Sequence, residues 1–160
     1  EFRKYTRVVS AEVITTGNRN EAASAAFRIL IKYIGGKNTN EMKISMTTPV
    51  AQERREDNIW LISFFMPAKM TLDQLPKPND PRITVKQLEN TEVAVIRFSG
   101  GQDKKNLEKH TKKLRKYLEN KKYAFNDSPI YAFYDPPFIP WFMRRNEVMF
   151  SKIENQSPSN

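Results

Sequence analysis

Hydrophobic and polar residues alternate from Tyr5 to Thr15. Tyr5, Arg7, Val9, Ala11, Val13 and Thr15 form one set, and Thr6, Val8, Ser10, Glu12 and Ile14 the other, the pattern of a half-buried strand. Gly17 and Asn18 end it. Asn18 with Glu21 resembles a capping box, and from Glu21 to Ile34 the period changes to that of a helix. Ala23, Phe27, Leu30 and Ile34 make its inner stripe, with Ala26, Ile31 and Tyr33 beside it, and Gly35 and Gly36 supply the stop. Ile29 breaks the pattern: it projects roughly 120° from the stripe, toward the solvent edge. KISMTTPV then alternates Ile44, Met46, Thr48 and Val50 with polar neighbours and predicts a strand that Pro49 closes or marks as an edge. Ile59 to Met66 is apolar on both faces, so that strand needs cover on each side, as a barrel lumen and an outer helix would give.

Pro67, Pro76, Pro78 and Pro81 bracket a long loop with one helical turn around Leu72 and Leu75. Ile83 to Leu88 and Glu92 to Phe98 read as strands joined by a tight turn at Asn90. After Gly100 and Gly101, a second helix runs from Asp103 to about Lys122, with Leu107, Thr111, Leu114 and Leu118 inward and His110 and Tyr117 on a shoulder. IYAFYD and RNEVMFSKI are strands on either side of a proline-rich loop, and residues 154–160 form a polar, flexible tail after a single domain of residues 1–153. Two βαββ units are visible in this order. SMTTPV after the first helix and FYDPPF after the second hint at a duplication, and two such units predict an α+β fold: a distorted antiparallel β-barrel with two long helices packed outside.

Composition narrows the chemistry. The chain has 160 residues, enough for one core, and no cysteine and one histidine, His110, which excludes thiolate nucleophiles, Cys/His zinc sites and multi-histidine metal centres. Its net charge of +9 favours anionic partners in general. No apolar run reaches the length of a membrane span, so a soluble protein is expected. The chain starts at Glu1 without methionine, so an upstream segment is expected to have been removed, which leaves cytoplasm and export open.

The stretch Tyr134 to Val148, YDPPFIPWFMRRNEV, cannot be helical, because Pro136, Pro137 and Pro140 remove donors and fix φ. It is a shaped loop. Its aromatics either cap the barrel as core or face a flat apolar ligand with negative charge. An alternating strand would point Arg144 and Arg145 to opposite faces, so at most one could reach that ligand while the other makes structural bonds, for instance with Glu147.

FRILIKYIGGKN (27–38), MKISMTTPV (42–50) and the 134–148 stretch together resemble the SOUL heme-binding protein family, and the likeness covers nearly the whole chain. That resemblance implies the same barrel of two βαββ units. It also implies binding of heme or another tetrapyrrole by a carrier, buffer or sensor that is not an enzyme, and for some members a protein partner. A tetrapyrrole needs apolar walls and one or two cations at the rim. The family's pocket, carried over residue by residue, sets Arg28, Ile29, Lys32 and Tyr33 of the first helix opposite Phe138, Trp141, Phe142, Met143 and Arg144 of the loop. Some relatives carry a histidine, considered as an iron ligand, in the stretch matching Phe2-Arg3-Lys4-Tyr5, where this chain has Lys4, a poor ligand when protonated. Met42, Met46, Met143 and Tyr33 could coordinate iron in principle, but methionines in such patterns are usually core filler. No protein metal ligand is therefore assigned, and weak, mostly hydrophobic binding that also accepts iron-free porphyrin is expected.

Two alternatives stand beside this reading. The second helix carries nine basic and three acidic residues between Asp103 and Lys122, which with the loop aromatics could make a module for a protein or an anionic surface. Aromatics are not interleaved with those lysines, which argues against nucleic acid. The third is a small-molecule hydrolase, by analogy with effector-binding domains related to gyrase-inhibitory proteins. No nucleophile, base and orienter stand at recognisable spacing, and fold analogy alone is not a site.

Overall fold

A computed structural model describes residues 1–153; the expected tail, 154–160, lies outside the described residues. The chain runs β1 (Phe2–Thr16), α1 (Arg19–Ile34), β2 (Val50–Glu56), β3 (Ile59–Phe65), β4 (Ile83–Phe98), α2 (Lys104–Asn120), β5 (Ile130–Phe133), β6 (Asn146–Ser151). The strands close an antiparallel barrel in the order β1-β3-β2-β5-β6-β4. Each half is one βαββ unit, and the units meet where β2 pairs with β5 and β1 with β4.

Local chemistry places both helices. The Asn18 side chain accepts from the Glu21 amide and the Glu21 carboxylate accepts from the Asn18 amide, each at 3.0 Å, so the capping box forms. Asp103 caps α2 by accepting from the Asn106 amide, and Leu107, Thr111, Leu114 and Leu118 are buried as the periodicity predicts. Both helices pack on one continuous core with strand residues such as Ile62, Phe64, Phe133, Val148 and Phe150. A six-stranded barrel has no room for a helix inside, so that is the outer face. A smaller cluster of Val93, Val95, Ala132 and Met149 fills the inner one.

Three expectations change. KISMTTPV is not a strand: residues 41–49 lead toward β2 without forming helix or strand, and the strand is the more charged VAQERRE that follows. Asn90 does not join two strands by a tight turn. It sits within the continuous β4 at φ 50°, a conformation asparagine tolerates, and the ladder with β1 continues on both sides of it. Finally, α1 is rotated about its axis. Ala22, Ala26, Leu30, Tyr33 and Ile34 are buried and Ile29 packs partly against the core, while Phe27 is 39% and Ile31 37% exposed. The segment after β3 causes this, because the Tyr33 hydroxyl donates to Pro76 O at 2.8 Å, and Met70 and Leu75 join the core that Ile29 touches.

Leu30→Ala should therefore lower the unfolding free energy by about 2–5 kcal/mol. Phe27→Ala should cost clearly less in the same urea titrations; equal losses would return Phe27 to the core.

Candidate functional site

The loop of residues 134–145 leaves β5 and re-enters the barrel at β6. Its proline-fixed chain is closed by backbone bonds from Ile139 N to Pro136 O (3.1 Å) and from Met143 N to Pro140 O (2.9 Å). Gly100 N, between β4 and α2, donates to Trp141 O at 3.1 Å. Arg144 braces the bend from within: its Nε donates to Ile139 O at 2.8 Å and one Nη to Pro137 O at 2.6 Å. The result is a shaped projection rather than a cap on the barrel. Phe138 is 82%, Trp141 63%, Phe142 60% and Met143 66% exposed, and the Trp141 and Phe142 rings meet edge to face at 5.8 Å.

Glu147 anchors the base of this projection. Its side chain has no exposed surface, and Arg3 donates to both of its oxygens at 2.8 Å. Arg145 donates to Oε1 through Nε at 3.1 Å and Nη2 at 2.7 Å, and the Tyr134 hydroxyl donates to Oε2 at 2.8 Å. The Arg145 guanidinium also lies 4.1 Å from the Tyr134 ring centroid. Burial is the largest single influence on the Glu147 carboxyl and pushes its pKa up, but the bonds from Arg3, Arg145 and Tyr134 together outweigh it and hold the group below the usual carboxylate range. Burial first, and then the bond to Glu147, push the Tyr134 phenol up to about 12. Both loop arginines thus make structural bonds. Arg144 and Arg145 precede the first residue of β6, so strand alternation does not separate them, and both line one cavity at the loop base.

On α1, Arg28 and Lys32 are exposed one turn apart. Tyr33, expected on the pocket wall, is fully buried with its hydroxyl bonded, and Ile29 faces the core side. Phe27 and Ile31, which helical periodicity assigned to the core, hold the exposed positions instead. The Phe27 ring meets Phe64 at 5.3 Å, Phe64 pairs with Val50, and Val50 pairs with Phe133, the last residue before the loop. Two strand spacings, about 10 Å, separate Phe64 from Phe133. The same end of the outer face therefore carries α1 and the root of the loop, and Arg19, the first residue of α1, bridges them: its guanidinium lies 5.5 Å from the Phe133 ring centroid and one Nη donates to Gln102 O.

His110 lies against β4, its ring stacked on Phe98 at 3.9 Å and 7°, with Nδ1 2.8 Å from Asn106 O, which makes Nδ1–H the donor. Met42 packs on the core, whereas Met46 is 46% exposed. Nothing in the linear sequence pairs Arg3 with Glu147, and only the alternation of β6 marks Glu147 as inward.

Comparisons with known proteins give the site its context. A family model described as SOUL heme-binding protein matches residues 1–151. Heme-binding protein 1 of Xenopus tropicalis is 30% identical over 140 residues, covering 83% of this chain and 72% of that protein. Heme-binding protein 2 of Mus musculus is 28% identical over 147 residues, covering 88% and 70%. Among solved structures, a hydrolase from Listeria innocua aligns with a TM-score of 0.65 at 10% identity over 94% of this chain and 89% of its own. The C-terminal domain of EcmrR aligns at 0.64 and 11%, covering 94% of each chain. At such identities these structures share the fold alone.

Glu147→Gln should lower stability by about 3–5 kcal/mol at neutral pH, because Arg3 and Arg145 would lose the buried carboxylate. The folded pKa of Glu147 lies below its unfolded value, so its contribution is complete above the unfolded value of about 4 and disappears as pH falls through the folded one. Urea unfolding of both proteins across pH should show the gap closing in acid; a constant gap would mean that the charge is not what the network requires.

Proposed function

The chain belongs to the SOUL heme-binding protein family, and we propose that it binds heme or another tetrapyrrole as a carrier, buffer or sensor and catalyses no reaction. The observation that carries this reading is the loop itself: four large apolar side chains, 60–82% exposed, on a backbone already braced by Arg144 and the Gly100 bond. A folded chain exposes such a patch at a cost unless a ligand or partner covers it. A flat macrocycle suits it, because a prearranged aromatic surface loses little entropy on binding. The names of the curated relatives support the same ligand class.

Phe138, Trp141, Phe142 and Met143 supply the apolar wall, with Phe27 and Ile31 on the α1 side in place of Ile29 and Tyr33. Arg28 and Lys32 are the cations for the propionates; Arg144 holds the loop and contributes chiefly through its shape. Heme when bound brings a redox-active iron. This chain's part is to shield the macrocycle face and hold its acidic groups. His110 is held by its stack on Phe98 and serves α2 packing. The exposed loop aromatics also favour a second reading, docking on a macromolecule.

Hemin and iron-free protoporphyrin should both give saturable Soret changes with similar affinity. Trp141→Ala/Phe142→Ala should weaken both by about tenfold or more, the loss of two stacked aromatic contacts, without changing the unfolding midpoint. His110→Ala should leave the Soret maximum where it is. No saturable change with either porphyrin would sink the tetrapyrrole reading.

A further inference from the structure

A cavity of about 350 Å³ opens at the loop base, lined by Arg97, Phe98, Ser99, Met143, Arg144 and Arg145. Half of its lining residues are arginines, and they come from two separate segments. Arg97 is exposed near the end of β4 and pairs in register with Glu147, which sets both side chains on the same face. Glu147 is not available to it, because its two oxygens already accept from Arg3, Arg145 and Tyr134. Arg144 bonds only carbonyl oxygens, through Nε and one Nη. Among the described residues, no carboxylate lies within ion-pair distance of Arg97 or Arg144. Asp135, the other acid nearby, has one oxygen accepting from the Arg145 amide at 2.5 Å. The cavity therefore gathers guanidinium N–H groups in excess of the acceptors around them.

We propose that this cavity is an oxyanion site for a phosphate-class group, distinct from the tetrapyrrole face that it borders at Met143. The chemistry favours phosphate over carboxylate. A guanidinium presents a planar fork of donors, and a phosphate offers enough oxygens to engage two forks and a hydroxyl together. A carboxylate brings one charge on two oxygens, as Glu147 does to two forks and a hydroxyl, whereas a phosphate brings nearly a second charge and a third oxygen to the three arginines here. Arg97 supplies the free fork, Ser99 a hydroxyl, and Arg144 and Arg145 their remaining Nη donors. Phe98, which is buried, gives the cavity one apolar wall.

The test is a titration of the full chain with sodium pyrophosphate at constant ionic strength, followed by backbone amide NMR shifts. Saturable shifts should centre on Arg97, Ser99, Arg144 and Arg145. Arg97→Gln should weaken binding about tenfold, the loss of one charged hydrogen-bonding fork, with Arg97→Lys intermediate. The control Lys112→Gln/Lys113→Gln/Lys116→Gln should change affinity less than twofold. Arg97 is exposed, so its variants are expected to keep the wild-type amide spectrum elsewhere. Shifts spread along α2, or equal losses in the lysine variant, would reveal general charge attraction and overturn the site. Succinate binding as tightly as pyrophosphate would overturn the phosphate class. Hemin titration of Arg97→Gln should match wild type; a parallel loss of hemin would make the cavity the acidic-group end of the tetrapyrrole site and overturn its separateness. Failure of wild type to bind hemin bears only on the preceding reading.

Discussion

One buried carboxylate holds together what the rest of this molecule needs. Glu147 has no contact with solvent, and charged groups in that state are stable only when paired and fully hydrogen-bonded. Its partners come from three places: Arg3 at the start of β1, Tyr134 at the exit of β5 and Arg145 at the entry to β6. The ion cluster thus joins the first strand to the last and closes the root of the projecting loop. Without it the loop would have its prolines but not its footing.

That footing lets a surface loop carry so much apolar area without collapsing onto the barrel. The shape is set by φ at three prolines, by backbone bonds at 2.9–3.1 Å and by Arg144 reaching two carbonyls of its own loop. The aromatics are presented because their backbone cannot fold back. The same geometry leaves Arg97 and Arg144 facing a cavity without a carboxylate, so one piece of scaffolding makes both an apolar surface and a cationic recess.

The barrel shows a division of labour between faces. The outer face takes both helices into one core, and the inner face holds a smaller apolar cluster together with the Glu147 network. Because β4 continues through Asn90, each unit contributes one long strand to the seam between units, and the count of strands resolves into two equal βαββ halves. A charged edge, ERRE, hid β2 from hydrophobic alternation, since its polar residues lie where the strand leaves the core.

Sequence alone determined what depends on neighbours in the chain. The cap at Asn18, the α2 stripe, the two-faced burial of β3 and the non-helical loop all follow from local propensity and periodicity, and the quoted motifs carried the family likeness. Tertiary structure decided what depends on distant partners. The rotation of α1 follows from a hydroxyl of Tyr33 bonded 43 residues away at Pro76, which buried Tyr33 and left Phe27 and Ile31 outside. The Arg3–Glu147 pair spans 144 residues, and the position of Arg97 beside the loop arginines follows from the β4–β6 register. Periodicity fixes which residues share a face of an element but not the angle at which the element docks. Charge composition likewise counts cations without showing which of them find an acid.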